Sequence, residues 1–416
     1  MSPVRLREEA LQGLYRPTPE EVATGWLFGP AAREGVAPDD AVASGDSRPG
    51  ARRGDVRPAR AALEDAVRRA LLAGPALVAF SGGRDSSAVL ALAVHVARRD
   101  GLPEPVPVTL VLPGDADSAE SPWQDLVLDH LRLRGQEQVD VSDGRAAALG
   151  PLGAQVLRAV GHPTFPAGAP GGALLAAAAA GGSLLTGELG DNVLGRRRVS
   201  AAVNVWHRRG RVAASDWRTA ATDLLPPALL PRGGVDGATG SPDEPDGLPW
   251  LRPRAAARWQ VRLAAERRAT RLHWARDLRA ETRRAWWVEG HRTLRAVARA
   301  VGAERHDPFA DPAFLRAWAV AGGATGPRSR TVAMRLLVGD LLPEAVLSRR
   351  SKAGFNAVHF GPSAREVADA WDGGGVDPDL VDTDALRAQW RSPRPHAASL
   401  ALLQHAWLRL HEEGGA

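Results

Sequence analysis

The 416-residue sequence predicts an α/β fold, a doubly wound parallel sheet followed by a helical C-terminal part. Three observations carry this. Short apolar runs alternate with helix-patterned segments between residues 61 and 200, as β-α-β units require. Two of those runs end in Gly-rich turns, at the strand edge where such sheets bind ligands. Beyond residue 201 the strand pattern stops and Arg- and Trp-bearing helical patterns take over.

Residues 1–60 read as a short N-terminal segment and a mobile linker. At most one short helix is expected over 5–29, and 30–59 are rich in Gly, Pro, Ala, Asp and Arg without periodicity. The α/β core is expected over 61–200, opening with a helix over 61–72. Ala76 to Phe80 is a short apolar run suited to a strand buried on both faces. Ser81, Gly82 and Gly83 then form a tight turn, since glycine lets the backbone bend sharply and approach a ligand. Ser86 and Ser87 open the apolar run that follows, which predicts a helix from 86 to 99. Its N-terminal N–H groups and positive dipole end make a phosphate site. Asp85 places a carboxylate there, an arrangement that suits Mg²⁺ between acid and phosphate.

Further strands are expected at 106–112, 138–141 and 182–186, with helices at 122–133 and 145–160. The last strand leads into Thr186-Gly187-Glu188-Leu189-Gly190-Asp191-Asn192. Its two acids, Glu188 and Asp191, stand three apart, so a tight turn could aim both at one ligand. Residues 201–416 should be mostly helical, at 255–300, 315–320, 331–341 and 399–410, with loops at 231–249 and 371–384. Trp274, Trp286, Trp287, Trp318 and Trp407 lie on amphipathic patterns and are expected in the core rather than in a ligand cage.

Composition excludes several chemistries. The chain has no cysteine, hence no disulfide, no thiolate metal site and no cysteine nucleophile. A Walker-type loop needs Gly-Lys before Ser or Thr, and the only lysine, Lys352, follows Ser351. The formal charge is +5, carried almost wholly by Arg. The basic clusters at 196–198, 207–209 and 267–268 are offset by interleaved acids elsewhere, so nucleic acid is not an expected partner. No apolar N-terminal signal is present, and the longest apolar stretch, 173–186, is too short for a bilayer. A cytoplasmic protein with no membrane partner is expected.

Ser81-Gly82-Gly83-Arg84-Asp85-Ser86 resembles the PP-loop of the ATP pyrophosphatases, adenine nucleotide α-hydrolase-like enzymes that split ATP between its α and β phosphates. The order of motifs resembles the synthetase domain of asparagine synthetase, whose superfamily includes β-lactam synthetases and lasso-peptide macrolactam synthetases. Asp307-Pro308-Phe309-Ala310-Asp311 is similar to the family's Pro-Phe segment. Arg330-Thr331-Val332-Ala333-Met334-Arg335 with Leu342-Pro343, and Arg350-Ser351-Lys352-Ala353-Gly354-Phe355, match the later motifs. The resemblance spans about 61–411.

The resemblance implies ATP and Mg²⁺ as cofactors. Ser81, Gly82, Gly83, Asp85, Ser86, Ser87 and Gly187 would bind nucleotide, and Asp85 and Asp191 would hold the metal. Glu188 matches the acid that assists amine attack, and Lys352 the lysine that stabilises the adenylated intermediate. The chain departs from asparagine synthetase at Leu189, Asn192 and Arg196, which bears on the acceptor substrate. Only about sixty residues precede the synthetase-like part and none is a cysteine, so a glutaminase activity is not expected. The implied activity is an AMP-forming amide ligase without glutaminase activity, joining a small-molecule or peptide carboxylate to an amine in natural-product or peptide-modifying biosynthesis. The amine is free, part of the substrate, or delivered by a partner protein. Two other readings stand beside it: an RNA-modifying PP-loop enzyme of the lysidine synthetase kind, and a non-catalytic accessory protein.

Overall fold

Short strands of alternating destination set the frame. In a computed structural model of the chain, residues 5–31, 54–111, 121–141, 143–195, 197–208, 214–225, 247–349 and 356–413 are described. The order begins α1 (Pro19–Thr24), α2 (Arg57–Leu72), β1 (Ala76–Ala79), α3 (Arg84–Asp100), β2 (Val106–Val111), α4 (Ser121–Leu131) and β3 (Glu137–Asp140). It continues with α5 (Pro151–Val160), α6 (Ala169–Ala178), β4 (Ser183–Leu185), α7 (Gly190–Leu194), α8 (Arg198–Arg208) and α9 (Ala214–Leu224). Then come α10 (Pro253–Ala269), α11 (Trp274–Glu281), α12 (Ala285–Ala300), β5 (Glu304–His306), α13 (Pro312–Gly322) and α14 (Arg330–Val338). The chain closes with α15 (Glu344–Ser348), α16 (Asn356–Phe360), α17 (Ser363–Ala370), α18 (Thr383–Arg391) and α19 (Leu400–Glu413).

The strands pair in the order β3-β2-β1-β4-β5, parallel throughout. Alternation of side chains along each strand feeds two cores. Val78 and Leu185 point to a core built with α2, α3, α13 and α14. Leu77 and Leu184 point to the opposite face, against α5, α6 and α12. Helices on both faces make the sheet doubly wound, as the sequence predicts. β1 and β4 are adjacent, so the two Gly-rich turns that follow them lie side by side at one edge. A third core gathers α1, α10, α17, α18 and α19 around Trp250, Trp259, Trp371, Trp390 and Trp407. Of the Trp residues expected inside, Trp274, Trp287, Trp318 and Trp407 are buried, and Trp286 packs half-buried against the first core.

The structure departs from expectation in several places. β5 was not expected: Glu-Arg-His carries no apolar signal, and the strand exists because its backbone pairs with β4. α3 begins at Arg84 rather than Ser86, with Gly83 as its N-cap residue. The helix expected over 145–160 forms only from Pro151, which occupies the first helical turn where its missing N–H costs nothing. Residues 371–384 are not all loop, because Val381 bridges to Leu251 and α18 starts at Thr383. Most of the expected linker, 32–53, lies outside the described residues, but α2 already starts at Arg57.

The N-terminal segment contributes more than a short helix. Leu11 and Leu14 enter the second core, while Val22 and Ala23 enter the third. The Arg7 N–H donates to the Ala300 carbonyl at 2.7 Å, and Trp250 Nε1 donates to the Ala23 carbonyl at 2.8 Å. These partners lie hundreds of positions away, so no local periodicity announces them. Thr18 and Glu21 cap α1 reciprocally, which is legible locally.

Candidate active site at the carboxyl edge of β1 and β4

The loop after β1 is held by its own serines. Ser81 Oγ lies 3.1 Å from Ser86 Oγ and accepts from the Gly83 N–H at 3.3 Å. Ser86 Oγ donates to the Gly83 carbonyl at 3.0 Å. Gly82 adopts φ +79°, a left-handed conformation that a side chain would strain. Ser87 Oγ is buried with no hydrogen-bond partner among the described residues. Arg349 reaches in from the end of α15, donating to the Gly82 carbonyl at 2.9 Å while its guanidinium lies 4.7 Å over the Trp123 ring. The loop is therefore pinned from outside as well as within.

The second turn presses directly onto the start of α3. A Cβ on Gly187 would sit 2.6 Å from the Ser86 nitrogen, and one on Gly190 would sit 2.5 Å from Asp85 Cγ. The first neighbour is backbone, and the second is a carboxyl held by Arg330. Gly190→Ala should therefore push Asp85 off its position, with loss of folding stability on the order of 1–3 kcal/mol, as overpacking costs. Chemical denaturation checks this, and a variant as stable as the wild type would contradict the packing described. Leu189 between them holds φ +65°, where a non-glycine residue costs about 1–2 kcal/mol. Its side chain offsets part of that by packing against the first core.

Asp85 and Asp191 converge on one guanidinium. Arg330, at the first position of α14, places Nη2 on Asp85 Oδ2 and Nη1 on Asp191 Oδ1. Asp85 Oδ1 is buried without a hydrogen-bond partner among the described residues. Burial pushes the Asp85 carboxyl up to about 6; Arg330 pulls against the rise and Asp191 adds to it. Among the described residues no cluster of three or more His, Asp or Glu forms a metal cage. The pair nonetheless fits Mg²⁺, which is commonly held by one or two carboxylates and completed by phosphate and water. The unsatisfied Asp85 oxygen, and two acids close enough to share one guanidinium, suit such an ion.

Glu188 stands at the rim, its side chain half-exposed, with Oε2 3.8 Å from Arg305 Nη2. Its N–H donates to Thr186 Oγ1 at 3.1 Å, and Thr186 Oγ1 donates to Asp307. Asp307 follows β5 and is fully buried on Arg305 (3.0 and 3.1 Å) and on His291 Nε2 (2.7 Å). Burial alone would raise Asp307, but Arg305 and His291 outweigh it and hold the carboxyl well below the usual carboxylate range. This network fixes the turn that presents Glu188. A second anchor is the buried Arg197, bound to Asp277 at 2.8 Å and donating to the carbonyl of Asn192, within α7, at 2.8 Å.

The structure thus brings Ser81, Gly82, Gly83, Asp85, Ser86, Ser87, Gly187, Glu188 and Asp191 to one edge. Lys352, with the Arg350 to Phe355 segment, lies outside the described residues. Sequence reasoning missed Arg330, Arg349, Arg305 and His291 as parts of the site. Arg330 and Asp307 stood in noted motifs, but nothing local says what they touch. The asparagine synthase family model matches residues 59–410. The chain belongs to the asparagine synthase family. A search of curated proteins returned no match. Membership in the asparagine synthase family makes this an ATP-dependent ligase of the amide-forming kind. Among the described residues no helix is long and apolar enough to cross a membrane.

Proposed function

We propose that the protein is an AMP-forming amide ligase that adenylates a carboxylate and passes the acyl group to an amine, in natural-product or peptide-modifying biosynthesis. The observation that carries this reading is the serine-braced loop at the N-terminus of α3, with Asp85 and Asp191 converging beside it. Backbone N–H groups at that helix start suit the pyrophosphate, because they are free of intrahelical partners and lie at the positive dipole end. Asp85 and Asp191 would hold Mg²⁺, whose charge offsets that of the departing pyrophosphate. Glu188, presented on a braced turn, takes the proton of the attacking amine. Lys352 supplies a compact positive charge to the tetrahedral intermediate.

Product analysis tests the nucleotide step. With a carboxylate found by screening for ATP–pyrophosphate exchange, AMP and pyrophosphate should accumulate; ADP and phosphate would overturn the reading. Labelled glutamine should release no glutamate, since the chain offers no thiol to attack its amide. Glu188→Gln should preserve exchange and slow amide formation by roughly 10²–10⁴-fold, the contribution of a positioned general base. Equal loss of both steps would make Glu188 a structural acid.

A further inference from the structure

Besides the Ser87 hydroxyl, two buried charged groups beside the nucleotide loop each leave one atom unsatisfied, one of each polarity. Asp85 Oδ1 is an acceptor and Arg330 Nε a donor, and neither has a hydrogen-bond partner among the described residues. Buried polar atoms are seldom left so, and exceptions mark places where an ion or ligand completes the set. Arg330 is also an awkward residue for its position. It is the first residue of α14, where a positive side chain opposes the helix dipole. Only its bidentate grip on Asp85 and Asp191 offsets that. Positive charge is crowded there as well. Arg84 opens α3, and burial, with Arg330 and Arg349 nearby, lowers its pKa.

In the buried Arg197–Asp277 pair only an arginine Nε is left over. This pair leaves a carboxylate oxygen as well, an acceptor suited to a cation beside a donor suited to a phosphate oxygen. We propose that Arg330 is the site's resident counter-ion. It occupies the place of a divalent cation between Asp85 and Asp191, yields both acids when metal and nucleotide enter, and turns its freed donors to the nucleotide phosphates. The proposal rests on the ATP-dependent reading of this edge. It explains why the buried Asp85 and the part-exposed Asp191 share a single guanidinium. It also makes cation and nucleotide bind together: the metal displaces a guanidinium that only the incoming phosphates can take over.

Manganese is the probe. Without nucleotide, the full chain carrying Arg330→Gln should bind Mn²⁺ about tenfold more tightly than wild type, measured by electron paramagnetic resonance, because one competing ion pair is gone. With ATP present, the same variant should bind Mn²⁺–ATP about tenfold more weakly, having lost a charge-assisted bond. Opposite signs are the signature, since a merely structural arginine would weaken both. Unchanged or weaker Mn²⁺ binding without nucleotide overturns the proposal. Arg330→Lys, a point charge that cannot fork across both acids, should gain part of the Mn²⁺ affinity. Should both variants misfold, the wild-type Arg330 Nε resonance decides. It should shift when Mg²⁺ and a non-hydrolysable ATP analogue are added together, and a stationary resonance means Arg330 never leaves the acids. Release of ADP by the wild type would end the AMP-forming reading while leaving this competition intact.

Discussion

Asp85→Asn should abolish turnover and, at the same time, make the protein more stable above pH 6. The first effect follows from removing one of two carboxylates that would hold the metal. A loss of at least about 10³-fold is expected, comparable to removing one major electrostatic element of a transition state. The second follows from burial. The Asp85 carboxyl rises from its ordinary 3.8 to about 6, so the folded chain holds its proton more tightly than the unfolded chain. Its favourable contribution is therefore complete below 3.8 and lost as pH rises through about 6. Above that, keeping the carboxylate charged costs on the order of 1–3 kcal/mol. Asparagine is neutral at every pH, so the variant should lose this dependence between pH 4 and pH 6. Urea titrations across that window check it. A wild type and variant with parallel pH profiles would show that Asp85 ionises as an ordinary surface acid.

Lys352→Arg should lower turnover by about 10²–10³-fold with a far smaller change in ATP affinity, the usual result of removing one transition-state donor. Lys352 is the only lysine in the chain, standing among basic residues that are otherwise all Arg. The two cations differ physically: ammonium is compact with three rotatable donors, guanidinium a broad planar fork. A pocket that must neutralise a small moving oxygen discriminates between them, whereas a surface position does not. Single-turnover rates with saturating ATP measure the effect. Near wild-type turnover in the arginine variant would mark the lysine as incidental.

Local chemistry was legible where the chain acts on itself. The run from Ala76 to Ser87 announces strand, turn and helix because apolar pattern, glycine and serine all act within a dozen residues. The turn at Thr186–Asp191 is legible for the same reason. β5 was not, because Glu304, Arg305 and His306 form a strand only by pairing with β4. Nor were the partners of the acids. Arg330 meets Asp85 across 245 positions of sequence, and Arg349 meets Gly82 across 267. Such pairs are products of the fold, and nothing in the neighbouring residues encodes them. The two-residue error in the start of α3 has a simpler cause. Ser86 and Ser87 are good cap residues, but Gly83 takes that place and the Ser86 hydroxyl turns back to brace the loop.

The place of β5 beside β4 also governs how the molecule assembles. β4 ends at Leu185 and its neighbour begins only at Glu304, with α7 through α12 between them. Until that strand arrives, β4 presents an open apolar edge, and Asp307 cannot yet brace the turn below it. Closing so long a loop is slow relative to local helix formation, because its entropy is lost before the pairing is gained. On the ribosome, the chain should therefore carry a complete β1 loop long before it can bind nucleotide. A folding intermediate with β1, β2 and β3 paired and β4 exposed is the expected late trap, and the species most prone to pair with another chain.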